Sequence, residues 1–205
     1  ISRVIVATDD KDIFDHVKAF GGEAAMTSVR HRSGTDRINQ AVRDIKCDIV
    51  VNIQGDEPFI HPANIDKAVE PFFKDKKLNV STLAIKIKDI SDVIDPNVVK
   101  VIFDKNNFAV YFSRGILPFD QTIFDSISKI PSSKKYYKHI GLYVYRKNFL
   151  DVFVKMKKSY LEVTEKLEQL RILENGKKIK VILTNKNSKS VDTPEDLLFL
   201  RKQSL

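Results

Sequence analysis

Short apolar runs alternate with helix-like periodic segments through the first ninety residues of the chain. The runs SRVIVATDD, EAAMT, CDIVVNI and NVSTLAIKI predict strands, the first and third of them buried. Between them, apolar residues recur at helical spacing over residues 12–20, 34–45 and 63–73. Strands that alternate with helices predict an α/β fold with a mostly parallel, Rossmann-like sheet flanked by helices.

The second half of the chain departs from this alternation. Two apolar runs within residues 97–115 flank Asp104-Lys105-Asn106-Asn107 and predict a hairpin. Residues 115–135 are irregular and contain two prolines, which suggests an excursion or a subunit contact. A strand at HIGLYVYR, helices over residues 148–157 and 162–174, a strand at IKVILT and a helix from DTPEDLLFLRKQ complete the pattern.

Composition narrows the class of protein. The 205 residues suffice for one sizeable core, and 42% hydrophobic with 30% charged residues is typical of a soluble globular protein. No apolar run approaches the ~18 residues that a membrane span needs. Cys47 is the single cysteine and cannot form an intrachain disulfide, which fits a reducing compartment. We therefore expect a cytoplasmic protein without a membrane partner.

The net charge of +8 leaves two kinds of anionic partner open. A basic surface binds nucleic acid, but it also attracts small phosphorylated ligands. The lysines are spread along the chain, with only short clusters such as KKYYK and GKKIK, and no aromatic-rich RNA-binding signature or zinc knuckle occurs. These features favour small anionic substrates over nucleic acid.

Two carboxylates follow an apolar strand in the segment VVNIQGDEPFI. Ligands of open α/β sheets bind beyond the carboxyl ends of the strands, and Mg²⁺ prefers carboxylate oxygens there. Asp56 is therefore a candidate metal ligand. Asp192, which follows the last strand and starts a helix, is the candidate second carboxylate. From the residues alone, a solvated turn at Asp56 and a helix N-cap at Asp192 remain alternatives.

Seven short motifs occur along the chain in one order: HRSGTDR, VNIQGDEP, DPNVVKV, YFSRGILPFD, KHIGLYVYR, TEKLEQLR and VDTPEDL. As a set they resemble the 3-deoxy-manno-octulosonate cytidylyltransferases, the CMP-Kdo synthetases of Gram-negative lipopolysaccharide synthesis. The resemblance covers essentially the whole chain. It implies that the anomeric 2-hydroxyl of Kdo attacks the α-phosphorus of CTP, which gives CMP-Kdo and pyrophosphate.

The resemblance also implies roles for individual residues. Asp56 and Asp192 match the family's Mg²⁺ ligands, and Arg114 matches a catalytic arginine that suits the Kdo carboxylate. The substrate-binding residues that it implies are Ser33 and Gln54 for the cytidine nucleotide and His139, Tyr143, Glu168 and Gln169 for the sugar. The residues themselves leave alternatives open: a helix cap for Ser33, core packing for Tyr143, a surface charge for Arg114, and an exposed helix face for Glu168 and Gln169.

We expect one nucleotidyltransferase domain over residues 1–205, with a sugar-binding and dimer-contact subregion at about residues 92–150. The expected partners are CTP and Kdo, and the expected assembly is a homodimer. In the family, a loop of the form IPARxxSxRxPxKP precedes the strand that SRVIVATDD matches, so the domain is expected to be N-terminally incomplete. Two alternatives remain open: a cytidylyltransferase for a related acidic sugar, and a truncated, non-catalytic nucleotide-binding paralogue.

Overall fold

Helices and strands account for most of the chain that the computed structural model describes, namely residues 1–31, 33–121, 135–188, 191, 194, 197–198 and 201. The first half contains β1 (Ile5–Thr8), α1 (Lys11–Ala19), β2 (Glu23–Met26), α2 (Gly34–Ala41), β3 (Ile49–Ile53), α3 (Pro62–Lys74), β4 (Val80–Lys86) and α4 (Ile90–Ile94). The second half contains β5 (Lys100–Phe103), β6 (Ala109–Ser113), β7 (Tyr137–Arg146), α5 (Lys147–Phe153), α6 (Tyr160–Glu165), α7 (Leu170–Glu174) and β8 (Lys180–Thr184).

The strands of the described chain form a six-stranded sheet and a separate parallel pair, β1–β2. In the larger sheet the order is β6-β5-β7-β4-β8, and β3 also pairs with β7. Strand β7 is antiparallel to β3, β4 and β5, whereas β4 and β8 are parallel. The predicted α/β class is confirmed. Strands β3, β4, β5 and β8 share one direction, but the neighbour pairings are mixed because β7 runs the opposite way between them.

Local signals explain where several elements begin and end. The Asp10 carboxylate caps α1 by accepting hydrogen bonds from the backbone N–H groups of Asp12 and Ile13. Gly21, with φ of 81°, follows the helix and adopts a left-handed conformation that suits glycine. The predicted hairpin is confirmed, since β5 and β6 pair antiparallel.

The single helix predicted over residues 162–174 is wrong. The chain forms α6 and α7 instead, because Lys166 adopts a left-handed conformation with φ of 55° that ends α6. The break buries Leu167, which is 6% exposed, and brings Gln169 inward as the N-cap of α7. Glu168 and Gln169 therefore lie in a turn between two helices and not on a helix face.

Other predicted boundaries also differ. Helix α2 ends at Ala41 and α5 at Phe153, each several residues before the predicted end, and the short helix α4 was not predicted. The strand predicted to be buried at the start of the chain is partly exposed, with Val6 37% exposed. Residues 122–134, which include most of the predicted subunit contact, lie outside the described residues, so this contact remains a prediction.

Alternate residues of β7 supply the two faces of the core. Tyr143 and Tyr145 belong to a large cluster that also includes residues of β6, α5 and α7. Leu142 and Val144 belong to a second cluster with α3. This alternation follows from the two-residue period of a strand. In the described part of the chain, no helix combines the length and the apolar character needed to cross a membrane.

Candidate active site

The two adjacent carboxylates after β3 have different environments. Asp56 is exposed, whereas Glu57 is 7% exposed and its Oε2 accepts a hydrogen bond from the hydroxyl of Ser188. Glu57 thus ties the loop after β3 to the segment after β8. Asp56 lies on the exposed side of the same loop.

The segment that follows β8 lies alongside the Asp56 loop. The backbone N–H of Val191 donates to the Asp56 carbonyl at 2.8 Å. Upstream, the Asn64 amide donates to the Lys186 carbonyl at 2.9 Å, and the Thr184 hydroxyl donates to Asn64 Oδ1 at 2.6 Å. The chain is therefore held next to Asp56 one residue before Asp192. Asp192 itself lies outside the described residues, and among the described ones no group of three or more potential metal ligands occurs.

Helix α2 begins next to the end of β3. The Ser33 hydroxyl caps the helix by accepting a hydrogen bond from the backbone N–H of Asp36 at 3.2 Å. A Cβ atom added to Gly34 would lie 3.3 Å from Gln54 Oε1, so the absence of a side chain at this position allows the close approach. Two residues predicted to bind the nucleotide, Ser33 and Gln54, are therefore brought together.

Gln54 also lies against β7. A Cβ atom added to Gly141 would be 3.7 Å from Gln54 Cγ and 3.6 Å from Glu57 Oε1. On the two sides of Gly141, the rings of His139 and Tyr143 have centroids 5.3 Å apart. The predicted nucleotide-binding and sugar-binding residues thus meet around Gln54.

The hydrogen bonds of Thr82 indicate the tautomer of His139, and burial sets its protonation state. The Thr82 hydroxyl donates to the Leu142 carbonyl at 2.8 Å and lies 2.9 Å from His139 Nε2. A hydroxyl has one proton to donate, so Nε2 carries the ring proton and Nδ1 is left as an acceptor. Removal of the ring from water, together with the charge of Lys138, lowers the pKa of His139 to about 3. The imidazole is therefore neutral at physiological pH.

This low pKa predicts a specific loss of stability in acid. Below pH 6.5 the unfolded chain binds a proton at His139 that the folded protein does not bind until about pH 3. As the pH is lowered through this window, the free energy of unfolding should therefore decrease, by up to about 1.4 kcal/mol per pH unit from this group. Urea unfolding between pH 6 and 4 should show a shallower pH dependence for His139→Gln than for the wild type. The control His16→Gln, at an exposed position, should retain the wild-type slope, and parallel curves for wild type and His139→Gln would refute the assignment.

Glu168 is hydrogen-bonded to the start of α2. The Thr35 hydroxyl donates to Glu168 Oε2 at 2.6 Å, and Arg171 Nη2 donates to Glu168 Oε1 at 3.3 Å. Burial raises the pKa values of Tyr143 and Tyr145, and the nearby Glu168 charge adds to both increases. Glu168 therefore lies between α2 and the aromatic residues of β7.

Arg114 follows β6 and is held by backbone groups. Its Nε donates to the Glu165 carbonyl at 3.2 Å and its Nη1 to the Pro96 carbonyl at 3.0 Å. The Glu165 carboxylate in turn accepts from the Arg114 backbone N–H at 3.0 Å. Within the described part of the chain, these bonds do not reach another predicted site residue. Phe112, two residues before Arg114, has its ring centroid 5.2 Å from that of His139.

The sequence indicated no role for three residues of this region, Thr35, Asn52 and Arg171. It also did not predict that Glu57 connects the loop after β3 to Ser188. Asn52 is 1% exposed, and among the described residues neither its amide nitrogen nor its amide oxygen has a hydrogen-bond partner. It lies opposite Tyr143, whose hydroxyl likewise has no hydrogen-bond partner in the described part of the chain. A polar residue in the apolar run VVNI was the available signal for Asn52, whereas Thr35 and Arg171 were marked only by their places in the motifs HRSGTDR and TEKLEQLR.

Comparison with known proteins identifies the family. The family model described as Cytidylyltransferase matches residues 1–179. A protein of Geotalea daltonii named 3-deoxy-manno-octulosonate cytidylyltransferase is 51% identical over 200 residues, which cover 96% of this chain and 79% of that relative. The chain belongs to the 3-deoxy-manno-octulosonate cytidylyltransferase family.

Further comparisons agree with membership of the 3-deoxy-manno-octulosonate cytidylyltransferase family. A relative of the same name from Trichlorobacter lovleyi is 48% identical over 200 residues, again covering 96% of this chain and 79% of the relative. A CMP:2-keto-3-deoxy-manno-octonic acid synthetase solved in complex with CTP is 34% identical, with a TM-score of 0.87 over 100% of this chain and 83% of that one. The family predicted from the seven motifs is confirmed, and the individual residue roles remain predictions.

Proposed function

We propose that this protein transfers CMP from CTP to the anomeric hydroxyl of 3-deoxy-manno-octulosonate and releases pyrophosphate. The observation that supports this proposal most is the position of Gln54, which lies against Gly34 at the start of α2 and against Gly141 of β7. A nucleotide bound at Ser33 and Gln54 would adjoin a sugar bound at His139 and Tyr143. Such proximity is what group transfer between two substrates requires.

Mg²⁺ is the metal that the donor set suits. The exposed Asp56 carboxylate offers hard oxygen ligands, and Mg²⁺ is commonly held by one or two carboxylates together with substrate phosphates. Asp56 and Asp192 would hold the ion, and Val191, the residue before Asp192, is hydrogen-bonded to the Asp56 carbonyl. When bound, the ion would neutralise negative charge on the triphosphate during transfer.

The sugar would be oriented by groups of complementary chemistry. His139, neutral and with Nδ1 as an acceptor, would accept a hydrogen bond from a sugar hydroxyl. Gln169 would offer both a donor and an acceptor, and Glu168 would use its remaining lone pairs. The Arg114 guanidinium would pair with the sugar carboxylate. The homodimer and the cytoplasmic location expected from the sequence remain predictions.

A direct assay tests this function. The full-length protein should convert CTP and Kdo, in the presence of Mg²⁺, to pyrophosphate and CMP-Kdo detectable by mass spectrometry. N-acetylneuraminate, a different acidic sugar, should give much slower turnover, because it would leave buried polar groups unpaired. Faster turnover with N-acetylneuraminate would favour the related-sugar alternative. Binding of CTP without turnover of either sugar would favour the non-catalytic alternative.

Gln169→Ala should separate sugar binding from nucleotide binding. Gln169 is 7% exposed in the turn between α6 and α7, next to Glu168. Loss of the proposed hydrogen bonds between Gln169 and the sugar should raise the KM for Kdo about 3- to 10-fold and leave the KM for CTP nearly unchanged. Steady-state kinetics with each substrate varied at saturating levels of the other gives both values. If the KM for CTP rises and that for Kdo does not, Gln169 serves the nucleotide and the proposed role is wrong.

A further inference from the structure

One hydrogen bond joins two parts of the site that lie far apart in the sequence. The Thr35 hydroxyl donates to Glu168 Oε2 at 2.6 Å across 133 residues. Thr35 is 2% exposed, so water competes weakly for this bond. The start of α2 and the turn between α6 and α7 are therefore linked directly through two side chains.

The Glu168 carboxylate is also held from its other side. Arg171, which is 4% exposed, donates from Nη2 to Glu168 Oε1 at 3.3 Å. Arg171 itself is fixed by Glu162, whose two carboxylate oxygens accept from its Nε at 2.8 Å and its Nη2 at 2.6 Å. With a partner at each oxygen, the position of the Glu168 carboxylate depends on both Thr35 and Arg171.

Glu168 thus lies next to both the predicted nucleotide-binding residues and the predicted sugar-binding residues. Thr35 belongs to the same helical turn as Ser33 and Gly34, and Gly34 lies beside Gln54 on the nucleotide side. Gln169 follows Glu168 directly on the sugar side. The Glu168 side chain is 26% exposed, so its free lone pairs remain accessible to a substrate hydroxyl.

We propose that Thr35 is a positioning residue which, through Glu168, makes binding of the nucleotide and binding of the sugar mutually favourable. This inference rests on the proposed function. A nucleotide bound at the start of α2 fixes the Thr35 hydroxyl that holds Glu168, so the protein loses less conformational entropy when the sugar binds. By thermodynamic linkage, the sugar must strengthen nucleotide binding by the same factor.

Isothermal titration calorimetry tests this coupling. The Kd of CTP is measured with and without a saturating Kdo analogue that lacks the anomeric hydroxyl, so that no turnover occurs. In the wild type the analogue should tighten CTP binding about 5-fold or more. In Thr35→Val this factor should fall towards one, and in Thr35→Ser, which retains the hydroxyl, it should stay near the wild-type value. Thr35→Ala serves as a second variant if valine prevents folding.

The matched control is Ser81→Ala. Ser81 is fully buried, and its hydroxyl donates to the Ala68 carbonyl at 2.7 Å on the α3 side of the sheet. This variant also loses one buried hydroxyl, but it should keep the wild-type coupling. Equal coupling in wild type and Thr35→Val, or independent binding of the two ligands to the wild type, would overturn the inference and leave the proposed function intact. If the wild type binds neither ligand, the proposed function fails and the coupling fails with it.

Discussion

Replacing Asp56 by asparagine should lower kcat by on the order of 10²-fold or more, comparable to the removal of another electrostatic stabiliser from an active site. The amide keeps the size of the side chain but removes the charge that suits Mg²⁺. Because Asp56 is exposed, the free energy of unfolding should change by less than about 1 kcal/mol. Turnover of CTP and Kdo, measured as pyrophosphate release over a range of Mg²⁺ concentrations, gives the effect on catalysis.

The control for this substitution is Asp66→Asn, which removes the same charge from an exposed position of α3. This variant should keep the wild-type kcat. Full activity of Asp56→Asn at saturating Mg²⁺ would show that Asp56 is not a metal ligand. A large loss of folding stability in Asp56→Asn would instead assign the residue a structural role.

Replacing Arg171 by methionine should destabilise the protein by about 3–5 kcal/mol, which is the usual cost of leaving one charge of a buried ion pair without its partner. Glu162 is 7% exposed, and its carboxylate accepts two hydrogen bonds from the Arg171 guanidinium. The guanidinium also stacks 5.0 Å from the centroid of the Phe153 ring. Methionine fills part of the space but leaves the Glu162 charge buried without its partner. Urea unfolding at neutral pH measures the loss.

Two controls separate the charge effect from packing. The double variant Arg171→Met/Glu162→Gln removes both charges and should recover part of the stability, because no ion is then buried alone. Lys11→Met breaks the exposed ion pair with Asp15 and should change stability by less than about 1 kcal/mol. If Arg171→Met costs no more than Lys11→Met, the buried pair does not stabilise this fold.

Much of the architecture was predictable because its signals are local. Hydrophobic periodicity located α1, α3 and the hairpin of β5 and β6, since each depends on the spacing of residues within one short segment. The end of α1 was marked by Gly21. The break between α6 and α7 was not predictable in this way, because it occurs at Lys166, a residue type that usually continues a helix. Burial of Leu167 and the pairing of Glu162 with Arg171 accompany the break.

The candidate site shows the same division. The motifs identified the family, and a carboxylate after an apolar strand suggested Asp56 as a metal ligand. The sequence could not show that Glu57 is buried, because its burial involves a hydrogen bond from Ser188, which is 131 residues away. Nor could it show that Glu168 bonds to Thr35. The sequence therefore indicated which residues belong to the candidate site, but not which residues they are hydrogen-bonded to.

The sequence by itself determined the α/β class, the order of most elements and the family, since these depend on short-range periodicity, turn residues and motifs. Only the tertiary structure decided that β7 runs antiparallel between β3 and β4, that Gln54 lies between Gly34 and Gly141, and that Thr35 bonds to Glu168. The physical reason is distance along the chain. Backbone preferences act over a few residues, whereas these contacts form only when packing of the core brings remote segments together.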